Sequence, residues 1–122
     1  MKPNVFLAVL LVLAAEAAFA QVSQGEKLAK AQCLQCQTLG QGEPHGVGPN
    51  LHGIFGRKAG GASGFKYSDG YIKALTGKTW DAKLLENWLA DTQSLAPGNG
   101  MTYVQDDPRK RRQLIEYLST LR

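Results

Sequence analysis

Cys33-Leu34-Gln35-Cys36-Gln37 is the stretch on which the reading of this chain turns. Two cysteines separated by two residues occur as disulfides, as thiol–disulfide exchange motifs and, when a histidine comes directly after, as the attachment site of a c-type haem. In the last case the thiols add across the haem vinyl groups and the histidine takes one face of the iron. Here Gln37 stands where that histidine belongs. A carboxamide oxygen is a far poorer iron ligand than an imidazole nitrogen. Spacing alone leaves all these readings open.

Upstream, Lys2 precedes an apolar run from Val5 to Ala15, and Ala18-Phe19-Ala20 precedes Gln21. This is the pattern of a secretory signal peptide over residues 1–20, with a small-residue cleavage site. The run is short for a bilayer span and Glu16 interrupts it, so no stable membrane insertion is expected after cleavage. Residues 21–122 then form one domain of 102 residues, near the lower limit for burying a self-sufficient core. A flat cofactor at its centre would supply much of the missing apolar interior. The bacterial-looking signal points to the periplasm, where free thiols tend to pair. An exchange motif usually opens a helix in an α/β domain, and no strand pattern is visible here.

Losing Lys2 and Glu16 with the signal leaves thirteen Lys and Arg against nine Asp and Glu, so the net charge stays at +4. The surplus is concentrated in Arg109-Lys110-Arg111-Arg112. Such a run is most often a solvated helix face; its functional reading is a docking patch for an acidic partner. Nucleic acid is excluded as a partner by export and by the lack of aromatic residues within the run.

The helical signals are clear. Ser23-Gln24-Gly25-Glu26 reads as a capping box that starts a helix carrying Leu28 into the cysteine pair. Asp107 is a natural N-cap with Pro108 at the first helical position, and Leu114, Ile115, Leu118 and Leu121 come after it at helical spacing. A third helix begins near Asp81, with Leu84, Leu85, Trp88 and Leu89 on one side, and a short fourth covers Asp69 to Leu75. Between the first helix and these lies the Gly-rich segment 40–64, with Pro44 and Pro49. A loop of that length in a small domain is expected to wrap something.

From about Ser23 onward the chain resembles class I cytochrome c, especially its mitochondrial-type branch. The likeness extends well beyond the cysteines. Gly48-Pro49-Asn50-Leu51-His52-Gly53-Ile54-Phe55-Gly56-Arg57-Lys58 nearly reproduces the family's loop, and Gly64-Phe65-Lys66-Tyr67-Ser68-Asp69 continues it. Thr79-Trp80 and Pro97-Gly98-Asn99-Gly100-Met101 come next, with Met101 twenty-one residues after Trp80, and Leu114-Ile115-Glu116-Tyr117-Leu118 matches the C-terminal helix.

The resemblance implies an all-α fold of four to five helices with long loops wrapped around one haem c. It implies thioethers to Cys33 and Cys36, and an iron ligated by the Met101 sulfur, with Gln37 at the opposite position. Thioether sulfur is a soft ligand that favours the reduced iron. Arg57, Tyr67, Trp80 and Asn99 match positions that hydrogen-bond the haem propionates, a chemistry that buried carboxylates require. His45 and His52 could be proposed as replacement ligands, but both read as structural residues, His45 as a loop tie. Ala29 stands where an aromatic residue usually separates the terminal helices, and Trp88 replaces an internal tyrosine near the methionine. The cationic ring around the haem edge is largely missing, with Gln32, Gln93, Ser94 and Gly100 in its places.

The function expected is that of an exported monohaem c-type cytochrome, a monomer carrying single electrons between reductase- and oxidase-type redox proteins, and not an enzyme. Two alternatives come with the altered ligand. One is a five-coordinate haem protein with peroxidase-like or gas-binding activity; the other is a haem-free domain with a Cys33–Cys36 disulfide.

Overall fold

The structure is a computed structural model and describes residues 4–122; Lys2, part of the signal-peptide reading, lies outside the described residues. Five helices succeed one another: α1 Val5–Gln32, α2 Asp69–Leu75, α3 Ala82–Ala90, α4 Thr92–Leu95 and α5 Pro108–Thr120. No strand occurs among the described residues; a lone antiparallel bridge joins Lys58 to Thr79. The fold is the all-α class I cytochrome c architecture that the resemblance implies.

The helix starts obey their capping chemistry. The Asp81 carboxylate accepts from the Leu84 amide at the head of α3, and Asp107 accepts from Arg109 and Lys110 at the head of α5, where Pro108 occupies the first turn. Each satisfies N–H groups that have no partner within the helix. Asp91 caps the short α4 in the same way.

The first helix departs from the sequence reading. Ser23 does not cap it; α1 already begins at Val5 and runs uninterrupted through the apolar segment. A serine in the middle of a helix has no unsatisfied amides to cap, because the preceding turn supplies their acceptors. Glu26 therefore turns outward to pair with Lys30 at 2.8 Å. The Leu- and Ala-rich stretch favours helix on propensity alone, and it packs on nothing: Phe6 is 84% and Phe19 79% exposed. Continued without a break to Gln32, the helix is long and apolar enough to cross a membrane, although the apolar run taken alone reads as too short.

The core forms where the second half of α1 crosses α5, with α3 packed against α5. Ala29, Leu75, Leu85 and Leu114 are almost wholly buried in it. The crossing is close because small residues face it. A Cβ placed on Gly25 would come within 1.9 Å of the Gln113 carbonyl oxygen and 2.7 Å of the Tyr117 Cβ. Both obstacles belong to the α5 framework, so neither can swing away.

Gly25→Ala is accordingly expected to destabilise the domain by about 1–3 kcal/mol, the usual cost of overpacking, seen as a lower denaturant midpoint at unchanged slope. An unchanged midpoint would show that the helices do not meet at this glycine.

Candidate functional site

The loops between the helices enclose a cavity of about 480 Å³, within the range of small-molecule and cofactor clefts. One wall is the turn after α1. There the Cys36 and Gln37 amides donate to the Cys33 carbonyl at 3.1 and 2.9 Å. Loop 46–49 folds directly onto this turn: a Cβ on Gly46 would lie 2.4 Å from the Cys36 carbonyl oxygen, and one on Gly48 2.7 Å from Gln37 Cγ. Glycine at both positions lets the loop press Gln37 inward, leaving it 7% exposed.

The opposite wall is the loop bearing Met101, which is fastened from several directions. Asn99 Nδ2 donates to the carbonyls of Thr92 and Ala96 at 3.0 and 2.7 Å, while its Oδ1 accepts from the Met101 amide at 2.7 Å. Thr92, fully buried, donates its hydroxyl to the Met101 carbonyl at 2.7 Å. Gln93 reaches the Asn99 and Met101 carbonyls with its Nε2 and accepts from the Gly98 amide. Ser68, at the head of α2, does not cap its own helix; its hydroxyl oxygen accepts from the Gly100 amide at 3.2 Å. Gly98 takes φ +79°, a left-handed turn that glycine enters without steric cost.

Gln37 and Met101 meet across the cavity, with Nε2 3.5 Å from Sδ. The remaining wall is aromatic. Tyr67 stacks on Tyr71 at 4.6 Å, Tyr71 meets Trp88 edge-on at 5.7 Å, and Trp88 meets Trp80 at 5.7 Å. Arg57 borders the same space and donates to the carbonyls of Asn50 and His52 at 2.9 and 2.5 Å. These use two of the five guanidinium N–H groups. The Tyr67 oxygen accepts from the Ala62 amide at 3.0 Å, leaving its own O–H to donate. Burial raises the pKa of the Tyr71 phenol, offset in part by the Trp80 side chain, the Gly60 backbone and the Arg57 charge.

The structure thus brings Cys36, Gln37, Arg57, Tyr67, Trp80, Asn99 and Met101 to one cavity, with Cys33 buried just behind the turn. Asn99 has a local task, since its side chain is taken up in holding the Met101 loop. His45 also does: Nδ1 accepts from the Asn50 amide at 2.8 Å and Nε2 lies 2.7 Å from the Ser63 carbonyl, so both ring nitrogens are occupied within its own loop. Thr92, Gln93 and Tyr71 were not legible as site residues. Thr92 and Gln93 look like the ordinary first turn of a capped helix, and nothing local in the sequence marks Tyr71.

Both cysteine thiols are free. Burial, and secondarily the neighbouring Cys36, push the Cys33 thiol up from 9.0 to about 11, while Cys36 is exposed.

Among curated proteins, the chain is 45% identical over 91 residues to "Cytochrome c2 iso-2" of Magnetospirillum molischianum, covering 74% of this chain and 91% of the relative. The chain belongs to the class I cytochrome c family. It is also 44% identical over 80 residues to "Cytochrome c" of Kluyveromyces lactis, covering 66% and 71% of the two chains. To "Cytochrome c" of Chlamydomonas reinhardtii it is 39% identical over 105 residues, covering 85% and 92%. No family model matches the chain. The cytochromes c of this family are haem-containing electron carriers, not enzymes.

The cavity suits the haem that the family implies. Its lining is mainly aromatic and aliphatic, with Arg57, Tyr67 and Trp80 supplying N–H and O–H donors for carboxylates and the Cys36 thiol at its edge. The Gln37–Met101 separation is a little short of the roughly 4.3 Å that nitrogen and sulfur donors on opposite sides of one metal need, taking bond lengths of the size seen at zinc. A carboxamide coordinates through oxygen, so ligation by Gln37 also requires its amide to turn over from the orientation that faces Met101.

For the haem-free protein at pH 8, iodoacetamide is expected to alkylate Cys36 at least tenfold faster than Cys33, since only the thiolate reacts and Cys33 holds its proton; equal rates by mass spectrometry would refute this. The raised Cys33 pKa also means that the unfolded chain gives up this proton first. The associated stability is present below pH 9 and is lost as pH climbs toward 11. Separately, Asn99→Ala is expected to cost roughly 1–3 kcal/mol by leaving the Met101 loop unfastened, measured by denaturant unfolding; a change within error would show that the loop is held without this amide.

Proposed function

We propose that this protein is an exported, soluble monohaem c-type cytochrome that passes single electrons between redox proteins, with a weak ligand opposite Met101. Residues 1–20 are its signal peptide and residues 21–122 its functional domain in the periplasm. One haem c is bound covalently through Cys33 and Cys36. Met101 would give the iron its sulfur ligand and Gln37 a carboxamide, Arg57, Tyr67 and Trp80 would serve the propionates, and Asn99, expected on the propionate side, instead fastens the Met101 loop. The observation that carries this reading is the convergence of Cys36, Gln37, Arg57, Tyr67, Trp80, Asn99 and Met101 on one cavity from separate stretches of chain.

A haem in this cavity would supply the redox-active iron and a conjugated edge through which an electron can leave. The chain's own part is to exclude water, hold charge and set the potential. The aromatic wall of Tyr67, Tyr71, Trp80 and Trp88 keeps the interior apolar, which lowers the reorganisation accompanying a change of charge. Arg57 offers a guanidinium, and Tyr67 an uncommitted O–H, to buried carboxylates. The ties from Thr92, Gln93 and Asn99 hold the Met101 backbone, so that its sulfur would be positioned by the chain's own hydrogen bonds. Opposite it, Gln37 offers only a carboxamide, and His45, with both nitrogens engaged in its loop, supports no replacement imidazole.

The test is the protein as exported and purified, separated on a denaturing gel stained for covalent haem, with its absorption spectrum recorded in the folded state. Covalent haem with a weak-field, high-spin component is expected. Gln37→His is expected to convert the iron to low spin and raise haem incorporation. No haem at all, with Cys33 and Cys36 oxidised together, would overturn the electron-carrier reading. Low-spin iron in the unsubstituted protein would overturn the assignment of Gln37.

A further inference from the structure

We propose that, while no haem is attached, the chain holds one copper(I) ion between the Cys33 and Cys36 thiols and the Met101 thioether. The inference does not rest on the electron-carrier reading. It concerns the chain with both thiols free, and thioether bonds to a haem would use up both of them.

Cys33, Cys36 and Met101 are the only sulfur-bearing residues after Met1, and both thiols are free. The cysteines are the first and fourth residues of a turn closed by the Cys36 amide on the Cys33 carbonyl at 3.1 Å. Such a turn holds its end Cα atoms within about 7 Å of each other, near enough for both side chains to reach a single ion. Cys36 lines the cavity and Cys33 is buried behind it. The third sulfur faces this turn from the other wall. Met101 Sδ lies 3.5 Å from the Nε2 of Gln37, the residue directly after Cys36. A thioether is a weak acceptor, so this contact yields readily to a metal. Thr92, Gln93 and Asn99 fix the Met101 backbone, while the unbranched side chain keeps three rotatable bonds with which to bring its sulfur to the thiols.

The chemistry of the lining selects the ion. Among the described residues no Asp, Glu or His lines this cavity, and no three His, Cys, Asp or Glu side chains gather where they could share an ion. Calcium, magnesium and manganese call for carboxylate and carbonyl oxygens. A structural zinc site takes four ligands from Cys, His, Asp and Glu, a set that two cysteines do not complete. Two thiolates and a thioether form a soft set, the kind that selects copper(I). Gln37 adds to the selection, because an imidazole at that position would suit zinc as well.

Charge points the same way. Each cysteine releases its proton on ligating, so one copper(I) ion with two thiolates carries a net negative charge. The charged residues that line the cavity are Arg57 and Lys66, both cationic. They favour such a complex and oppose a free dication.

The experiment uses the full chain, produced without haem attachment and kept reduced under anaerobic conditions. Copper(I) is titrated in competition with bicinchoninate, and X-ray absorption at the copper edge reads the neighbours of the ion. One copper(I) per chain is expected, with three sulfur neighbours and no lighter atom, and an equal amount of zinc(II) is expected not to displace it. Cys36→Ser is expected to abolish this binding. Met101→Leu, which nearly conserves volume, is expected to leave circular dichroism unchanged and to lower the sulfur count to two. Its binding is expected to weaken about tenfold or more, a loss that even outer partners of a metal ligand produce. Unchanged affinity in Met101→Leu would overturn the proposal, as would a nitrogen or oxygen neighbour in the unsubstituted chain or displacement by zinc(II). Because the readout needs neither haem nor electron transfer, either result leaves the electron-carrier reading standing.

Discussion

The approach of Gln37 to Met101 across the cavity, 3.5 Å between Nε2 and Sδ, joins two parts of the chain that otherwise belong to different loops. The two walls of the site that carry them are built so that these side chains face one another. On one side, Gly46 and Gly48 admit a loop so close to the cysteine turn that no side chain would fit. On the other, a buried threonine, a glutamine and an asparagine bind the methionine's backbone from three directions. A domain of this size has a small apolar interior, yet it commits much of its polar interior to fixing one thioether.

That commitment makes the substitution at residue 37 informative. A chain that had lost the use of its cavity would have no physical reason to hold Met101 so firmly or to keep Arg57, Tyr67 and Trp80 along the wall. On the proposed reading, with the rest of the site in place, one weak ligand would alter the iron's spin state and potential before it altered the fold. The effect proposed would be confined to that position, because neither wall depends on the side chain at residue 37 for its backbone hydrogen bonds.

Much of this was legible in the sequence, for identifiable reasons. Asp81 and Asp107 mark their helices because a cap is a local interaction of a few residues, and Asp69–Leu75 lies where its pattern places it. The start of α1 was not legible. A capping box has meaning only where a helix begins, and the apolar segment before Ser23 is itself a good helix. The site residues were proposed through the ordered series of motifs and not through their chemistry taken singly. The contacts that escaped a reading of the sequence are those between distant positions: Tyr103 to Gln32 spans 71 residues and Arg111 to Glu86 spans 25. That Arg111, within the run 109–112, is engaged in an ion pair could be read only from where Glu86 sits.

The most direct measurement is X-ray absorption at the iron edge of the exported protein, compared with its Met101→Ala variant. One sulfur scatterer at roughly 2.3 Å is expected on iron, lost in the variant, with the remaining shell made of lighter atoms. Iron with no sulfur neighbour, or a purified protein with no iron, would contradict a haem held between the cysteine turn and Met101.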